Sequence, residues 1–465
     1  MAKTTNAEYK ILMVSLGCDK NLVDSEEMLG QLLGSGYSMT DNESEADAVI
    51  VNTCCFIEDA KKESIDTILS MARLKEDAKC RALIVAGCLG HRYASQIQES
   101  IPEVDAILGT SSADKIRDVL DDLLGRKKTE ERARQMEGRP EPVVVVDSAD
   151  RTPLPPSRVI TTGGWYEYLK IAEGCDKHCT YCAIPSVRGK YRSIPENYLL
   201  AQARYLASQG VKELILVAQE TMLYGTDISG KKELPKLLHD LAAIDGIEWI
   251  RILYCYPEEI TEDLICAMKA EPKVLPYLDM PVQHASDRIL KRMARRTSRA
   301  DLERIISRLR GEIPEIALRT TLIVGFPGES DEDFEELAAF VRKMRFDRLG
   351  VFTYSREEGT PAADFPDQIP EEVKQHRRDT IMEIQQEISR EKNEALVGKT
   401  LEVITEGYLP NDGVYTGRTY RDAPGVDGLV FFTSDADLIS GTMVDVTITG
   451  ASEYDLTGIM TESAD

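Results

Sequence analysis

No stretch of the chain approaches the roughly 20 consecutive apolar residues that a membrane-spanning helix needs, so no membrane segment is expected. The opening residues, MAKTTNAEYK, lack the apolar core of a signal peptide, and a cytoplasmic protein is expected. Positive charge is scarce. Fifty-six Lys and Arg stand against 80 Asp and Glu, a formal net charge of −24. Nucleic-acid binders normally carry a basic footprint, because phosphate neutralisation dominates their affinity. The acidic balance argues instead for a basic partner, or for no polyanion at all. The ten cysteines point to metal ligation rather than a disulfide framework, which a long cytosolic chain does not need. At 465 residues, two or three domains are expected.

A further absence sits at the centre of the chain. Residues 174–182 read GCDKHCTYC, with Cys175, Cys179 and Cys182 at spacing C-x3-C-x2-C, and no fourth cysteine follows before Cys255. A closed iron–sulfur cluster takes four thiolates. Three would hold three irons of a 4Fe–4S cube and leave the fourth iron open, and an open metal position usually signals chemistry rather than scaffolding. A zinc site or three buried core thiols are the alternatives, although zinc prefers four ligands in paired clips. The alternating segment 166–172 predicts a strand, which places the triad on the loop leaving it.

Three earlier cysteines share another pattern. The apolar runs 9–18, 47–55 and 80–88 each predict a strand ending in cysteine, and helical stretches follow the first two. Cys18, Cys54 and Cys88 therefore stand 36 and 34 residues apart at the carboxyl ends of strands. Strands alternating with helices at this period predict βαβ units and a parallel sheet. Ligands bind outside the carboxyl ends of such strands, so these thiolates form a second candidate cluster site with one open iron. The alternative is that buried cysteines simply suit apolar strands. Cys55, Cys80, Cys255 and Cys266 break the pattern and read as packing residues.

The charged run 125–142 and the proline- and glycine-bearing run 147–164 predict a linker, with a short strand-like VVVV between them. From 166 to about 389, six strand signals (166–172, 213–218, 249–254, 277–280, 318–324, 348–353) alternate with helical ones (196–209, 233–243, 261–269, 287–310, 331–344). This predicts a partial (β/α) barrel whose functional rim is the carboxyl end of the strands. Gln219, Glu220, Gln283, His284 and the GFPGE stretch, Gly325–Glu329, fall on that rim, where each is a site candidate or a turn and capping residue. The arginine-dense helix 287–310 reads as an outer helix with a solvated face. A helical connector is expected over 369–394. After Gly398, short β-branched strands separated by Gly, Asp, Asn and Pro predict a small antiparallel barrel. The fold class is thus α/β, with domains expected at 1–142, 160–396 and 398–465.

These motifs carry a resemblance. C-x3-C-x2-C with Tyr181 before the third cysteine resembles the signature of the radical S-adenosylmethionine (SAM) superfamily. In that superfamily the amino acid end of SAM chelates the open iron, and an electron from the cluster cleaves SAM to a 5′-deoxyadenosyl radical. The terminal segment resembles a TRAM domain, a module usually regarded as RNA-binding. It holds three basic residues (Lys399, Arg418, Arg421) against twelve acidic ones, a charge of −9, which works against phosphate contact. Together SLGCDKNLVDSE, VNTCCFIEDAKKESIDTI, VAGCLGHRY, KIAEGCDKHCTYCAIPSVRG, LVAQETMLYG, LDMPVQHAS and TLIVGFPGES resemble the radical SAM methylthiotransferases over essentially the whole chain.

The resemblance implies two 4Fe–4S clusters, on Cys18, Cys54 and Cys88 and on Cys175, Cys179 and Cys182. It also implies SAM as cosubstrate and methyl source, and an electron donor as partner; Tyr181 of the signature and the rim residues Gln219, Gly325 and Glu329 are the candidates to bind SAM. No catalytic residue beyond the cluster ligands is assigned. Within the family, RDAPGVDG and ASEYDLTG resemble the branch that modifies an aspartate β-carbon of small-subunit ribosomal protein S-twelve, rather than the branch that modifies adenosine in tRNA. That β-carbon bears no acidic hydrogen for a base to remove, so a radical source suits it. A two-cluster electron carrier is the reading from another class, but electron carriers need neither this barrel nor open irons. Asp19 and Cys55 depart from the expected family residues, and neither is a ligand position.

Overall fold

The computed structural model describes residues 9–125, 142–146 and 158–461. It divides into two compact units. The first comprises the described residues up to Thr161 together with Glu173–Asp176 and Ala183–Ile194; the second comprises the rest.

The first unit is built on a six-stranded, wholly parallel sheet. Its order is Ser38–Met39, Lys10–Ser15, Ala48–Thr53, Ala82–Ala86, Ala106–Leu108, Val143–Val145. Ala48–Thr53 and Ala82–Ala86 are buried at every position. Helices cover both faces of a parallel sheet, so its central strands read as continuous apolar runs rather than alternating ones. One apolar cluster joins Val49, Val51, Leu83 and Val85 to Ile68 and Met71 of helix Glu58–Ala72. The other joins Ile50 and Ile84 to Met28 and Leu32 of helix Asp19–Leu33 and to Ile116 and Leu120.

Two expectations change here. Val143–Val145 is not linker but the edge strand of this sheet, in register with Ala106–Leu108, so the unit continues past residue 142. Residues 158–161 also pack on it: Arg158 is buried, and Glu26 accepts hydrogen bonds from the Thr161 N–H and hydroxyl at 2.8 and 2.7 Å. The charged run expected over 125–142 and the run from 147 to 157 lie essentially outside the described residues.

The second unit holds another parallel sheet, ordered Arg348–Thr353, Ala317–Val324, Val274–Asp279, Trp249–Ile252, Glu213–Val217, Tyr166–Lys170. Space order follows chain order, as in a (β/α) barrel that stops before closing. In Ala317–Val324 buried and half-buried residues alternate after the first two. Leu318, Thr320 and Leu322 are buried while Arg319, Thr321 and Ile323 are half-buried. The expected helix 287–310 is instead two helices, Asp287–Arg292 and Arg299–Glu312. Ala294 has a left-handed φ of 57°, and Ser298 opens the second helix with a capping box to Asp301. The break carries Arg295 into the interior, where the expected solvated face does not hold. Cys55, Cys80 and Cys255 are buried as expected, but Cys266 is exposed on helix Glu262–Ala270.

Helix Glu371–Glu394 leads to a closed five-stranded barrel of Thr400–Leu409, Val414–Thr419, Val430–Thr433, Leu456–Met460 and Met443–Ala451. It is antiparallel, as expected, except that Val430–Thr433 pairs parallel with Leu456–Met460 to close it. This barrel is fused to the amino-terminal ends of the larger sheet's strands. Ile404, Ala423, Tyr420 and Met443 share one apolar cluster with Trp249, Tyr277 and Tyr166. Buried ion pairs join them too: Arg418 bonds Glu213 at 2.7 Å and also Glu406, Arg421 bonds Asp347 at 2.8 Å, and Arg348 bonds Asp422. Among the described residues no helix is long and apolar enough to cross a membrane.

Candidate active site

In the first unit, Lys10–Ser15, Ala48–Thr53 and Ala82–Ala86 are neighbours in register, so their carboxyl ends form one row, Ser15, Asn52, Ala86. Cys18, Cys54 and Cys88 follow those ends within three residues. Two glycines allow the turns. Gly17 has φ +92°, and a Cβ there would stand 2.7 Å from Cys54 Cβ and 3.1 Å from its Sγ. Gly87 has φ +88°, and a Cβ would meet Asn52 Oδ1 at 2.2 Å. Only glycine adopts this conformation with no steric cost.

A polar frame holds the row. Asn21, fully buried, donates from Nδ2 to the carbonyls of Leu16 (2.9 Å) and Thr53 (3.0 Å), linking two cysteine-bearing turns. Asn52 Nδ2 donates to Asn21 O and Ser25 Oγ, both at 2.8 Å. Ser64 Oγ accepts from Cys54 N–H at 3.0 Å and donates to Cys54 O at 2.9 Å. Arg188, on the short helix Ile184–Arg188, is buried among them. Its Nη1 bonds Glu173 (2.9 Å) and Asp24 (3.1 Å); its Nη2 bonds Asn21 Oδ1 and lies 3.6 Å from Cys88 Sγ. Burial pushes the Cys88 thiol up to about 12, and Arg188 pulls it part of the way back. Cys54 is raised by burial as well. As free thiols these two therefore stay protonated, and a cationic, thiophilic centre is what would convert them to thiolates.

In the second unit, Cys179 Sγ lies 3.4 Å from Tyr256 Oη, and Cys182 N–H donates to Cys179 O at 3.1 Å. The Arg295 guanidinium sits 4.1 Å from the Tyr256 ring centroid and Lys177 Nζ 5.0 Å from it. Arg295 donates from Nη2 to Pro281 O, whereas its buried Nε and Nη1 have no partner among the described residues. The Tyr181 hydroxyl is likewise buried without one, and the residue packs on the apolar cluster that holds Met293, Phe326 and Tyr354. Buried polar atoms left unpaired are costly, and in a native fold they call for a partner. Two uncommitted nitrogens of a buried cation that also feels Cys179 suit an anionic group such as a thiolate-held cluster or a SAM carboxylate. Cys175 is buried, its N–H bonded to Gly189 O at 3.1 Å in the first unit's segment. Among the described residues no group of three or more His, Cys, Asp or Glu is drawn together as a ready-made metal-ion site, the two cysteine triads included.

The remaining rim candidates divide. Gln219 is half-buried beyond strand Glu213–Val217. Glu220 is buried and caps the turn Thr221–Leu223 through Met222 N–H at 3.1 Å. Burial pushes its carboxyl up to about 8 despite Lys177 nearby. Gln283 has a left-handed φ of 69° and bridges to strand Ala317–Val324 through its backbone. His284 accepts from Ser286 N–H at Nδ1 (2.9 Å), which leaves its proton on Nε2, 3.6 Å from Glu329. Glu329 itself accepts from Phe326 N–H (3.1 Å) and Arg377 (3.0 Å). At Gly325 a Cβ would stand 2.3 Å from Lys374 Cγ. Gly325 and Glu329 thus build the loop's own frame. Sequence reasoning misses Arg188, Asn21, Tyr256 and Arg295; buried polar residues leave no mark in a hydrophobic pattern.

Comparison with known proteins gives this geometry a context. Residues 10–109 match uncharacterized protein family UPF0004, residues 169–341 the radical SAM superfamily, and residues 397–460 the TRAM domain. A ribosomal protein uS12 methylthiotransferase RimO of Lachnoclostridium phytofermentans is 57% identical over 97% of this chain and 99% of its own length. The chain belongs to the RimO methylthiotransferase family. The RimO proteins of Acetivibrio thermocellus and Pelotomaculum thermopropionicum are 49% and 50% identical over 98% and 97% of this chain, and over 99% and 98% of their own lengths. Solved structures similar in fold include the cobalamin-dependent SAM radical enzyme OxsB (TM-score 0.51, 14% identity, 81% of this chain and 56% of that one). The radical SAM methyltransferase TsrM from Kitasatospora setae is similar to the same degree (TM-score 0.51, 14% identity, 74% and 73%). RimO membership accounts for the succession of a cysteine-bearing α/β unit, a radical SAM barrel and a TRAM module in one chain.

Proposed function

We propose that the chain is a radical SAM methylthiotransferase that installs a methylthio group on the β-carbon of an aspartate of ribosomal protein uS12. The observation that carries this is 57% identity to a uS12 methylthiotransferase along nearly the whole of both chains. In this reading Cys175, Cys179 and Cys182 hold one 4Fe–4S cluster and Cys18, Cys54 and Cys88 a second. When bound, the clusters and SAM supply hydrogen-atom abstraction, sulfur and methyl; an external donor supplies electrons. The protein's own part is to bind, orient and keep water out. Asn21, Asn52 and Ser64 fix the turns that carry Cys18, Cys54 and Cys88; Tyr256, with Arg295 and Lys177 against its ring, fixes Cys179. Tyr181, Gln219 and the Gly325–Glu329 loop form the rim that faces SAM.

The substrate side is read from charge. Arg418 and Arg421 are buried in ion pairs, so Lys399 is the small barrel's one basic residue at the surface. A surface of this sign repels phosphate and steers in a basic ribosomal protein. The test is anaerobic reconstitution of two triple variants. Cys175→Ala/Cys179→Ala/Cys182→Ala is expected to lose SAM cleavage yet keep about four irons. Cys18→Ala/Cys54→Ala/Cys88→Ala is expected to keep cleavage to 5′-deoxyadenosine and lose methylthio transfer. Methylthiolated product from the second variant would overturn the roles assigned.

A further inference from the structure

The first unit places a buried guanidinium against one cysteine of the triad Cys18, Cys54, Cys88. We propose that Arg188 is a positioning residue for the cluster on that triad: it donates an N–H to Cys88 Sγ, holds that sulfur in place as a ligand, and raises the cluster's reduction potential. The inference rests on the proposed function, which assigns a cluster to these cysteines.

The two arms of the guanidinium do different things. Nη1 is fixed by carboxylates, Glu173 at 2.9 and 3.0 Å and Asp24 at 3.1 Å. Nη2 faces the other way, toward Asn21 Oδ1 and Cys88 Sγ, the sulfur at 3.6 Å. Asn21 belongs to the same frame, since its own Nδ2 ties the turn before Cys18 to the turn before Cys54. The planar fork allows both jobs at once, which an ammonium does not. The residue is 3% exposed, and pairing with two acids is what keeps a charge there. The salt bridge is complete with Asp24 and Glu173 on Nη1; Nη2 is left to serve the Asn21 amide oxygen and the Cys88 sulfur.

The consequence follows from charge. Reduction adds an electron to the cluster, and hydrogen bonds to its sulfurs are among the levers that set its potential. A cation with an N–H on a ligand sulfur favours the reduced, more negative form. Away from water its field is little screened. It also holds Cys88 against release, so it favours retention of iron. Outer partners of metal ligands typically change metal affinity by about 10–100-fold when removed.

The experiment uses the full chain carrying Cys175→Ala/Cys179→Ala/Cys182→Ala, reconstituted anaerobically, so that one cluster is observed. Arg188→Lys is added to it. One ammonium can keep the pairing with Glu173 and Asp24 but cannot also reach the sulfur. Potentials are read by EPR-monitored dithionite titration, iron release by a chelator challenge, and folding by circular dichroism melting. The expected result is an unchanged melt, a midpoint moved to more negative potential, and iron release faster by roughly tenfold. Should Arg188→Lys not fold, Arg188→Met with Glu173→Gln removes the donor at constant net charge, and the same change of midpoint is expected. An unmoved midpoint in a cluster that is still bound overturns the inference. No iron at all in the parent with Arg188 intact overturns the function on which it rests.

Discussion

Gly17 shows how narrowly single residues define the Cys18, Cys54 and Cys88 triad. Its φ of +92° and its 2.7 Å clearance to Cys54 Cβ both exclude a side chain. Gly17→Ala is expected to destabilise the protein by about 1–3 kcal/mol through backbone strain alone, and to lower iron occupancy of the Cys18 triad while sparing SAM cleavage. Iron analysis and a thermal melt check both. Glu220 offers a pH test. Its carboxyl is raised by burial to about 8, above its ordinary value of 4.5. The folded state thus binds a proton that the unfolded state has released, and stability falls as pH rises from about 4.5 to about 8. Each tenfold difference in proton affinity between the two states is worth about 1.4 kcal/mol. Glu220→Gln should therefore flatten the melting temperature of the unloaded protein across that window, and parallel profiles for the two proteins would contradict the assignment. The six cysteines stand out as candidates in the sequence because spacing and strand ends expose them, and their role as ligands is the proposal made above. The roles of Arg188, Asn21 and Glu220 are not, because burial and pairing of a polar group are decided by residues far away in the chain.

Most elements are legible too, and the exceptions have causes. Short apolar runs of strand length announce the central parallel strands. Val143–Val145 reads as linker because an edge strand of three residues between charged and proline-bearing runs carries no period; its partner, Ala106–Leu108, supplies the reason it exists. A continuous arginine-rich helical pattern hides the helix break at Ala294, and it is this break that turns Arg295 toward Tyr256. Ala294→Gly is expected to raise the melting temperature slightly, since glycine relieves the left-handed strain. The small barrel reads as an appendage in sequence but is seated on the larger sheet through Arg418, Arg421 and Tyr277, which donates to Asp427 at 2.7 Å. Arg418→Ala leaves Glu213 and Glu406 short of a cation, and breaking a buried pair from one side costs about 3–5 kcal/mol. A melt unaffected by Arg418→Ala would show the interface to be loose. Deleting the module should for the same reason disturb the barrel as a whole, so charge substitutions on its outer face test substrate binding more cleanly than truncation.

For the whole molecule, the governing quantity is charge. A net −24, with the terminal module's arginines withdrawn into ion pairs, leaves an acidic exterior, which suits the basic substrate proposed above. Exposed charges interact over a screening length of roughly 8 Å at physiological salt. Association with uS12 is accordingly expected to weaken as salt rises, mainly through a slower on-rate, as stopped-flow at several salt concentrations would read. Whether this radical SAM chain modifies a protein and not RNA is decided most directly by offering it both. The anaerobically reconstituted protein is incubated with SAM, dithionite, and uS12 and tRNA together at equal concentrations, and both are analysed by mass spectrometry. A methylthio group on an aspartate of uS12, with unmodified tRNA, is the predicted result; methylthioadenosine in the tRNA beside an unmodified uS12 would contradict it.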